Sequence, residues 1–327
     1  MSGIILLNIA VFYVNAKEEP QTVYLGGQSF GVKFYSDGVI IVNLENYYDG
    51  IKYVCPAKES GLKINDVITQ ANGKSIKTNE ELSYVLSNCN GEEVNLKINR
   101  NNNTISKKVK PVKNTAGMYL IGAWVRDSCA GIGTITYYDE QNNYFAALGH
   151  GICDNDTSYL LPLEHATVLS ASISGISKST AGKAGSLNGY FKDETLGTLT
   201  KNTSIGIFGR PEENYSYKQK QIEIAETNDI KVGKASIFTT IDRNNVEEFE
   251  IEITRICNKN KDSNENFIIR ITDERLLDEC GGIVQGMSGS PIVQNGKLVG
   301  AVTHVFLNKP QEGFGVAIQN MVSKFVE

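Results

Sequence analysis

The sequence predicts a mainly β protein of two domains: a compact mixed α/β unit, then a larger all-β unit built as a barrel or as paired barrels. Three observations carry this. The 327 residues exceed what one average domain needs and suffice for two, at least one with a sizeable core. Residues 21–113 combine short alternating runs with one capped helical segment. From residue 114 to 327, short β-rich runs alternate with glycine and polar turn residues, and long helical periodicity is scarce.

Composition narrows the function classes. The net charge is −5 and no long run of Lys and Arg occurs, so there is no electrostatic footprint for nucleic acid. Cys55, Cys89, Cys129, Cys153, Cys257 and Cys280 form no C-x-x-C pair, which excludes a zinc knuckle and a thioredoxin-type motif. Their even number permits disulfides in an exported chain, but free, buried thiols are the plainer expectation.

At the N-terminus, Ile4 to Val14 is apolar except for Asn8. That run is short for a bilayer span and fits the apolar region of an export signal, with Val14-Asn15-Ala16 as a small-residue cleavage site, although no basic residues precede it. Residues 1–20 are therefore expected to be an export signal or membrane anchor.

The first domain follows. "GVKFYSDGVIIVNL" offers two β-rich runs around Ser36-Asp37-Gly38, a turn signal. In "KTNEELSYVLSN", Thr78 stands three residues before Glu81, a capping box, and Leu82, Val85 and Leu86 fall on one helical face. "EEVNLKINR" alternates Val94, Leu96 and Ile98 inward. With "KESGLKINDVITQANGKSI" between strand and helix, this order resembles the PDZ domains of bacterial exported proteases. The resemblance implies that the loop Gln28, Ser29, Phe30, Gly31 and Val32 receives a peptide carboxylate. The ligand would then add as a strand beside the Thr78 to Asn88 helix. Gln28-Ser29 stands where many such domains have Gly-Leu. Pro111 and "VKNTAG" place the boundary near Lys113 to Gly117.

The second domain holds the chemistry. Gly197 to Thr203 is expected to be a polar connection between strands. Of three histidines, His150 ends the apolar run "YFAALGH", His165 lies in "LPLEHATVLS" and His304 ends the last strong strand. Acyl transfer by serine needs a hydroxyl held against a base and N–H groups aimed at the developing oxyanion. Glycines flanking a serine allow the tight turn that presents both, and "GMSGSP" supplies them.

Gly286-Met287-Ser288-Gly289-Ser290-Pro291 resembles the nucleophile loop Gly-Asp-Ser-Gly-Gly-Pro of chymotrypsin-like serine peptidases, and "AALGHGIC" is similar to their Ala-Ala-His-Cys. The whole order of apolar segment, PDZ domain and peptidase resembles the stage IV sporulation protein B family of signalling serine peptidases from spore-forming bacteria. The resemblance implies a double β-barrel with Ser288 as nucleophile, His150 as base and the Gly286 and Ser288 amides as oxyanion hole. Asp273 matches where the family keeps its acid and is favoured over Asp154, close to His150 in sequence, and Asp242, in the inter-strand region. Met287 departs from the chymotrypsin pattern, so zymogen activation by an ion pair there is not expected. His304 is expected in a pocket or structural role and His165 in a structural one.

The family implies an exported, membrane-anchored, self-cleaving endopeptidase, in the space between the forespore membranes, without metal or organic cofactor. Its protein substrate would be a membrane-bound regulator whose cleavage frees an intramembrane protease and activates a mother-cell sigma factor. The PDZ domain would bind a peptide, such as a partner's or the protease's own tail. Two rivals are a PDZ-containing quality-control protease, whose PDZ domain follows its peptidase, and a non-catalytic scaffold.

Overall fold

The run Val39-Ile40-Ile41-Val42 lacks polar alternation because both faces of its strand are buried. In a computed structural model of the protein it belongs to one continuous strand, Ser29–Leu44. Val39 and Ile41 enter a core with Leu62, Ile68, Leu82, Leu86 and Ile98, while Ile40 and Val42 enter another with Phe30, Val32, Phe145 and Val168. The structure describes residues 21–101, 103–154, 157–161, 165–213, 219–257, 260 and 262–326. The expected export segment, residues 1–20, lies outside them.

The turn expected at Ser36-Asp37-Gly38 is not formed. Gly38 has φ +150°, and a Cβ there would lie 2.4 Å from the Ile68 carbonyl oxygen. Its glycine thus serves the close approach of the Val67–Ala71 strand, which pairs with Val39 and Ile40, rather than a reversal.

The PDZ sheet continues from that pairing through Val67–Ala71, Val94–Arg100 and Asn103–Val109. Val94, Leu96 and Ile98 point inward. The Asn79–Ser87 helix starts at the expected capping box, with the Thr78 side chain accepting from the Glu81 amide and the Glu81 carboxylate from the Thr78 amide, and it buries Leu82 and Leu86. Asp66, wholly buried, is held by Arg100 through Nε at 2.6 Å and Nη2 at 2.7 Å.

The remaining strands close two six-stranded barrels. Around the first, Ala123–Asp139 neighbours Ser29–Leu44, then come His165–Ser177, Ser186–Thr203, Gly206–Pro211 and Tyr144–Ala147, which returns to Ala123–Asp139. Around the second run Lys297–Phe306, Pro291–Gln294, Gly233–Asp242, Asn245–Ile256, Phe267–Ile271 and Lys309–Ala317, which pairs back with Lys297–Phe306. Closure removes the exposed edges that short strands would otherwise present. Each barrel has its own core, one around Phe30, Phe145 and Val168 and one around Phe249, Phe267 and Ile269. Gly197 to Thr203, expected as a connection, is strand.

Between the barrels, Thr22–Leu25 pairs with Ala123–Asp139 of the first and with Gln221–Ile224, itself parallel to Lys297–Phe306 of the second. The boundary expected near Lys113 to Gly117 therefore separates stretches of sequence, not compact bodies. Residues 29–35 are a barrel strand, 39–44 are shared with the PDZ core, and the PDZ unit is inserted between two adjacent barrel strands. Cys55, Cys89, Cys153, Cys257 and Cys280 are free thiols. Among the described residues no helix is long and apolar enough to cross a membrane.

Candidate active site

His150 is presented by a strained turn. After the buried Tyr144–Ala147 strand, Leu148 and Gly149 both take positive φ, +67° and +69°. Leu148 is an expensive residue for that region, and such outliers concentrate at functional sites. A Cβ on Gly149 would lie 2.9 Å from Thr303 Cγ2, so the turn packs directly on the Lys297–Phe306 strand. Nδ1 of His150 is 2.8 Å from the Gly151 carbonyl oxygen. Because a carbonyl only accepts, Nδ1 carries the proton and Nε2 is left with its lone pair. Burial pushes the imidazole down to about 4; the Gly151 hydrogen bond opposes this and the neighbouring His304 adds to it.

The Gly286–Ser290 loop is built by glycines at φ +103° (Gly286) and +94° (Gly289). At Gly289 a Cβ would fall 2.0 Å from the Thr134 carbonyl oxygen, which no other residue type permits. Thr134 clamps the loop by donating its amide to the Ser288 carbonyl at 3.0 Å and its hydroxyl to the Gly286 carbonyl at 2.7 Å. The amides of Gly286 and Ser288 donate to no acceptor among the described residues. Met287 is wholly buried in the second core.

The two serines part company here. Ser290 is fully buried and its hydroxyl donates to the Met287 carbonyl at 2.7 Å, a bond internal to the loop. Ser288 is half-buried, and its Oγ donates to the Thr303 carbonyl at 2.8 Å. Thr303 is in turn fixed by its own hydroxyl, whose single proton lies between the Asn264 carbonyl at 3.1 Å and the Phe314 carbonyl at 3.2 Å. The next residue, exposed His304, sets its ring 4.8 Å from that of His150 at an interplanar angle of 31°. Ser288 thus bonds to Thr303, and the His150 ring lies beside that of the adjacent His304.

No carboxylate among the described residues contacts His150. The Asp273 side chain caps the Glu274–Cys280 helix instead, accepting from the amides of Arg275 at 3.0 Å, Leu276 at 3.2 Å and Glu250 at 3.3 Å. In this structure Asp273, expected as the acid partner of His150, is not brought to it: an Asp directly before a helix satisfies free N–H groups, and these fix its direction. Asp154 is buried on Arg126 at 2.7 Å and accepts from the Thr157 amide and hydroxyl. Asp242 is exposed at a hairpin turn of the second barrel. His165 lies in a strand opposite Tyr35, and its side chain is outside the description.

Gln28 to Val32 are also corrected as a peptide-receiving loop. Phe30, Gly31 and Val32 pair on one edge with Gly133, Ile132 and Gly131 and on the other with Ser170, Leu169 and Val168. Ser29 pairs with Thr134, and the Gln28 carbonyl accepts from the Ile135 amide at 3.0 Å. With both edges occupied, no ligand strand can add there. The Asn79–Ser87 helix instead faces Tyr119–Leu120 and the start of Ala123–Asp139, and the Asp127 carboxylate accepts from the Asn79 amide.

Residues 117–322 match the family described as SpoIVB peptidase S55, and residues 23–110 match the PDZ domain. The chain belongs to the SpoIVB peptidase S55 family. A curated relative, named as a zinc metalloprotease of Clostridium perfringens (strain 13 / Type A), is 28% identical over 116 residues, 33% of this chain and 35% of its own length. This chain thus spans about a third of that relative. Among solved structures, the active form of the Rv3671c protease from M. tuberculosis is 13% identical, with 61% of this chain and 74% of that one covered and a TM-score of 0.36. Human heparin binding protein is 13% identical, with 56% and 73% covered and a TM-score of 0.29. In this SpoIVB-type chain, sequence reasoning missed Thr134, Thr303 and the Gly151 carbonyl. Their backbone or hydroxyl contacts reach across the barrels and leave no motif.

Proposed function

We propose that the protein is a serine endopeptidase in which Ser288 is the nucleophile and His150 the base. The observation that carries this reading is the pair of amides, Gly286 and Ser288, without an acceptor among the described residues, on a loop whose serine bonds to Thr303 while a histidine of fixed tautomer lies against the adjacent His304. In the reaction, Ser288 Oγ leaves the Thr303 carbonyl and attacks the peptide carbonyl carbon while Nε2 of His150 takes its proton. The oxyanion is met by the two amides, and His150 returns the proton to the leaving amine. A water then hydrolyses the acyl-enzyme by the same route.

In our reading the enzyme is exported, anchored by its N-terminal apolar segment and self-cleaving, and it acts between the forespore membranes. Its substrate is a membrane-associated regulator of a sporulation signalling pathway, whose cleavage leads to activation of an intramembrane protease and a mother-cell sigma factor. Family membership supports this, and the PDZ domain supplies a docking module for the substrate or the enzyme's own tail.

A serine-directed fluorophosphonate probe tests the chemistry. Labelling is expected in wild type and Ser290→Ala and lost in Ser288→Ala. Labelling retained in Ser288→Ala, or absent from a folded wild type, overturns the reading.

A further inference from the structure

Three amides of the Gly286–Ser290 loop are spent inside the fold. Met287 donates to the Val284 carbonyl at 3.1 Å, Gly289 to the Val302 carbonyl at 2.8 Å and Ser290 to the Met287 carbonyl at 2.9 Å. Gly286 and Ser288 remain, the two amides that the peptidase reading aims at the oxyanion. A peptide N–H is aimed by the carbonyl of the residue before it, because the unit is planar and trans and the two groups point in opposite directions. For Gly286 that carbonyl belongs to Gln285, and the Leu187 amide of the first barrel holds it at 2.8 Å. For Ser288 it belongs to Met287, and Ser290 holds it twice, through its amide and through its hydroxyl at 2.7 Å.

We propose that Ser290 is the positioning residue of the oxyanion site, its hydroxyl fixing the Met287–Ser288 peptide plane so that the Ser288 amide faces the reacting carbonyl. The proposal rests on the serine peptidase reading. Ser290 is itself held fast. It is wholly buried, its carbonyl accepts from the Val302 amide at 3.0 Å, and the next residue is Pro291, whose φ is locked by its ring. The plane it restrains lies between Gly286 at φ +103° and Gly289 at φ +94°, residues whose backbone rotates at little cost. The Ser290 amide alone gives the Met287 carbonyl one donor across a tight turn. The hydroxyl adds a second, and a rotation of the plane would have to break both. The competing role is that of a buried hydroxyl that only satisfies its own hydrogen bond, which would act on stability and leave the chemistry untouched.

The test uses the full chain and Ser290→Ala, with fluorophosphonate labelling resolved into probe affinity and maximal inactivation rate. As Ser288 Oγ displaces fluoride from phosphorus, the phosphoryl oxygen occupies the oxyanion position, so the rate reads the aim of the two amides. Losing a whole oxyanion donor costs about 10²–10³ in rate; misaiming one should cost roughly ten- to thirtyfold, with probe affinity held within about twofold. Ser290→Cys keeps a weak S–H donor and should fall between Ala and wild type. Phosphorus NMR of the labelled protein gives a readout independent of rate. The resonance of the wild-type adduct should move on denaturation, as the phosphoryl oxygen loses its donors, and that movement should shrink in labelled Ser290→Ala. A wild-type rate in Ser290→Ala, equal rates in Ala and Cys, an undiminished phosphorus shift, or a loss confined to melting temperature each overturns the proposal and leaves the peptidase reading standing. A folded wild type that does not label overturns both.

Discussion

Replacing Asp273 separates a helix cap from a triad acid. Its carboxylate accepts from two amides of the Glu274–Cys280 helix and from Glu250 on the neighbouring strand. Asp273→Ala leaves these donors without that partner, and loss of an N-cap of this kind costs about 1 kcal/mol. In a peptidase body of this size, that lowers the melting temperature by roughly 2–4 °C. Asp273→Asn keeps a side-chain oxygen of equal capping rank and should melt within about a degree of wild type. Because the carboxylate does not touch His150, labelling of Ser288 in both folded variants should stay within about threefold of wild type. A triad acid behaves differently, since its amide analogue keeps the geometry and loses on the order of ten-thousand-fold in rate through the wrong tautomer. The assay is scanning calorimetry paired with fluorophosphonate labelling on the same preparations. An Asp273→Asn protein that melts like wild type yet labels a thousand-fold more slowly would refute the reasoning.

Three further outcomes are expected. Burial holds His150 down to about 4, so its neutral, proton-accepting form persists as pH falls; labelling should stay level from about pH 8 to 5 and fall only towards 4. A half-loss near the ordinary histidine value of about 6.5 contradicts this. Arg100→Ala strands the buried Asp66 carboxylate in the PDZ core and should cost about 3–5 kcal/mol in denaturant unfolding, where a loss below about 1 kcal/mol would show the pair to be dispensable. A chain of residues 114–327 lacks the Ser29–Leu44 barrel strand and should be insoluble or non-cooperative in melting. A chain in which Leu44 is joined to its Cα partner Ala123 by a short Asn-Gly turn should keep the first barrel and label; cooperative folding of the truncated chain refutes the shared strand.

The parts of the site that were legible in the sequence are those fixed by local backbone chemistry. Gly286 and Gly289 mark a loop that only glycine can turn, and the serine between them is the one left available once Ser290 is buried on Met287. His150 was legible for the same reason, standing after an apolar run that ends in Leu148-Gly149. The residues that hold these groups were not legible. Thr134 lies 152 positions from Gly286, and the Thr303 carbonyl that receives Ser288 is a backbone atom any residue could supply. Asp273 shows the opposite hazard: an Asp before a short amphipathic run has a complete local explanation as a cap, and the acid role came from resemblance alone.

The fold was legible by class but not by partition, for a reason visible in the Ser29–Leu44 strand. A sequence reading assigns each strand to one side of a boundary, because its signals are periodicity and turn residues, which act over a few positions. Register is set at long range instead. Val32 pairs with Gly131 on one edge and with Val168 on the other, while seven residues on, Val39 pairs with Ile68 in the PDZ sheet. The four-residue apolar run at Val39 to Val42 was the local trace of this arrangement, since a strand covered by two cores carries no polar face. The same strand places Ser29 opposite Thr134, whose amide and hydroxyl clamp the Gly286–Ser290 loop. One unbroken length of backbone therefore joins the PDZ core to the residue that shapes the loop of Ser288. In this architecture the PDZ unit is built into the barrel wall, and removing it requires the barrel strand to be closed by a new turn.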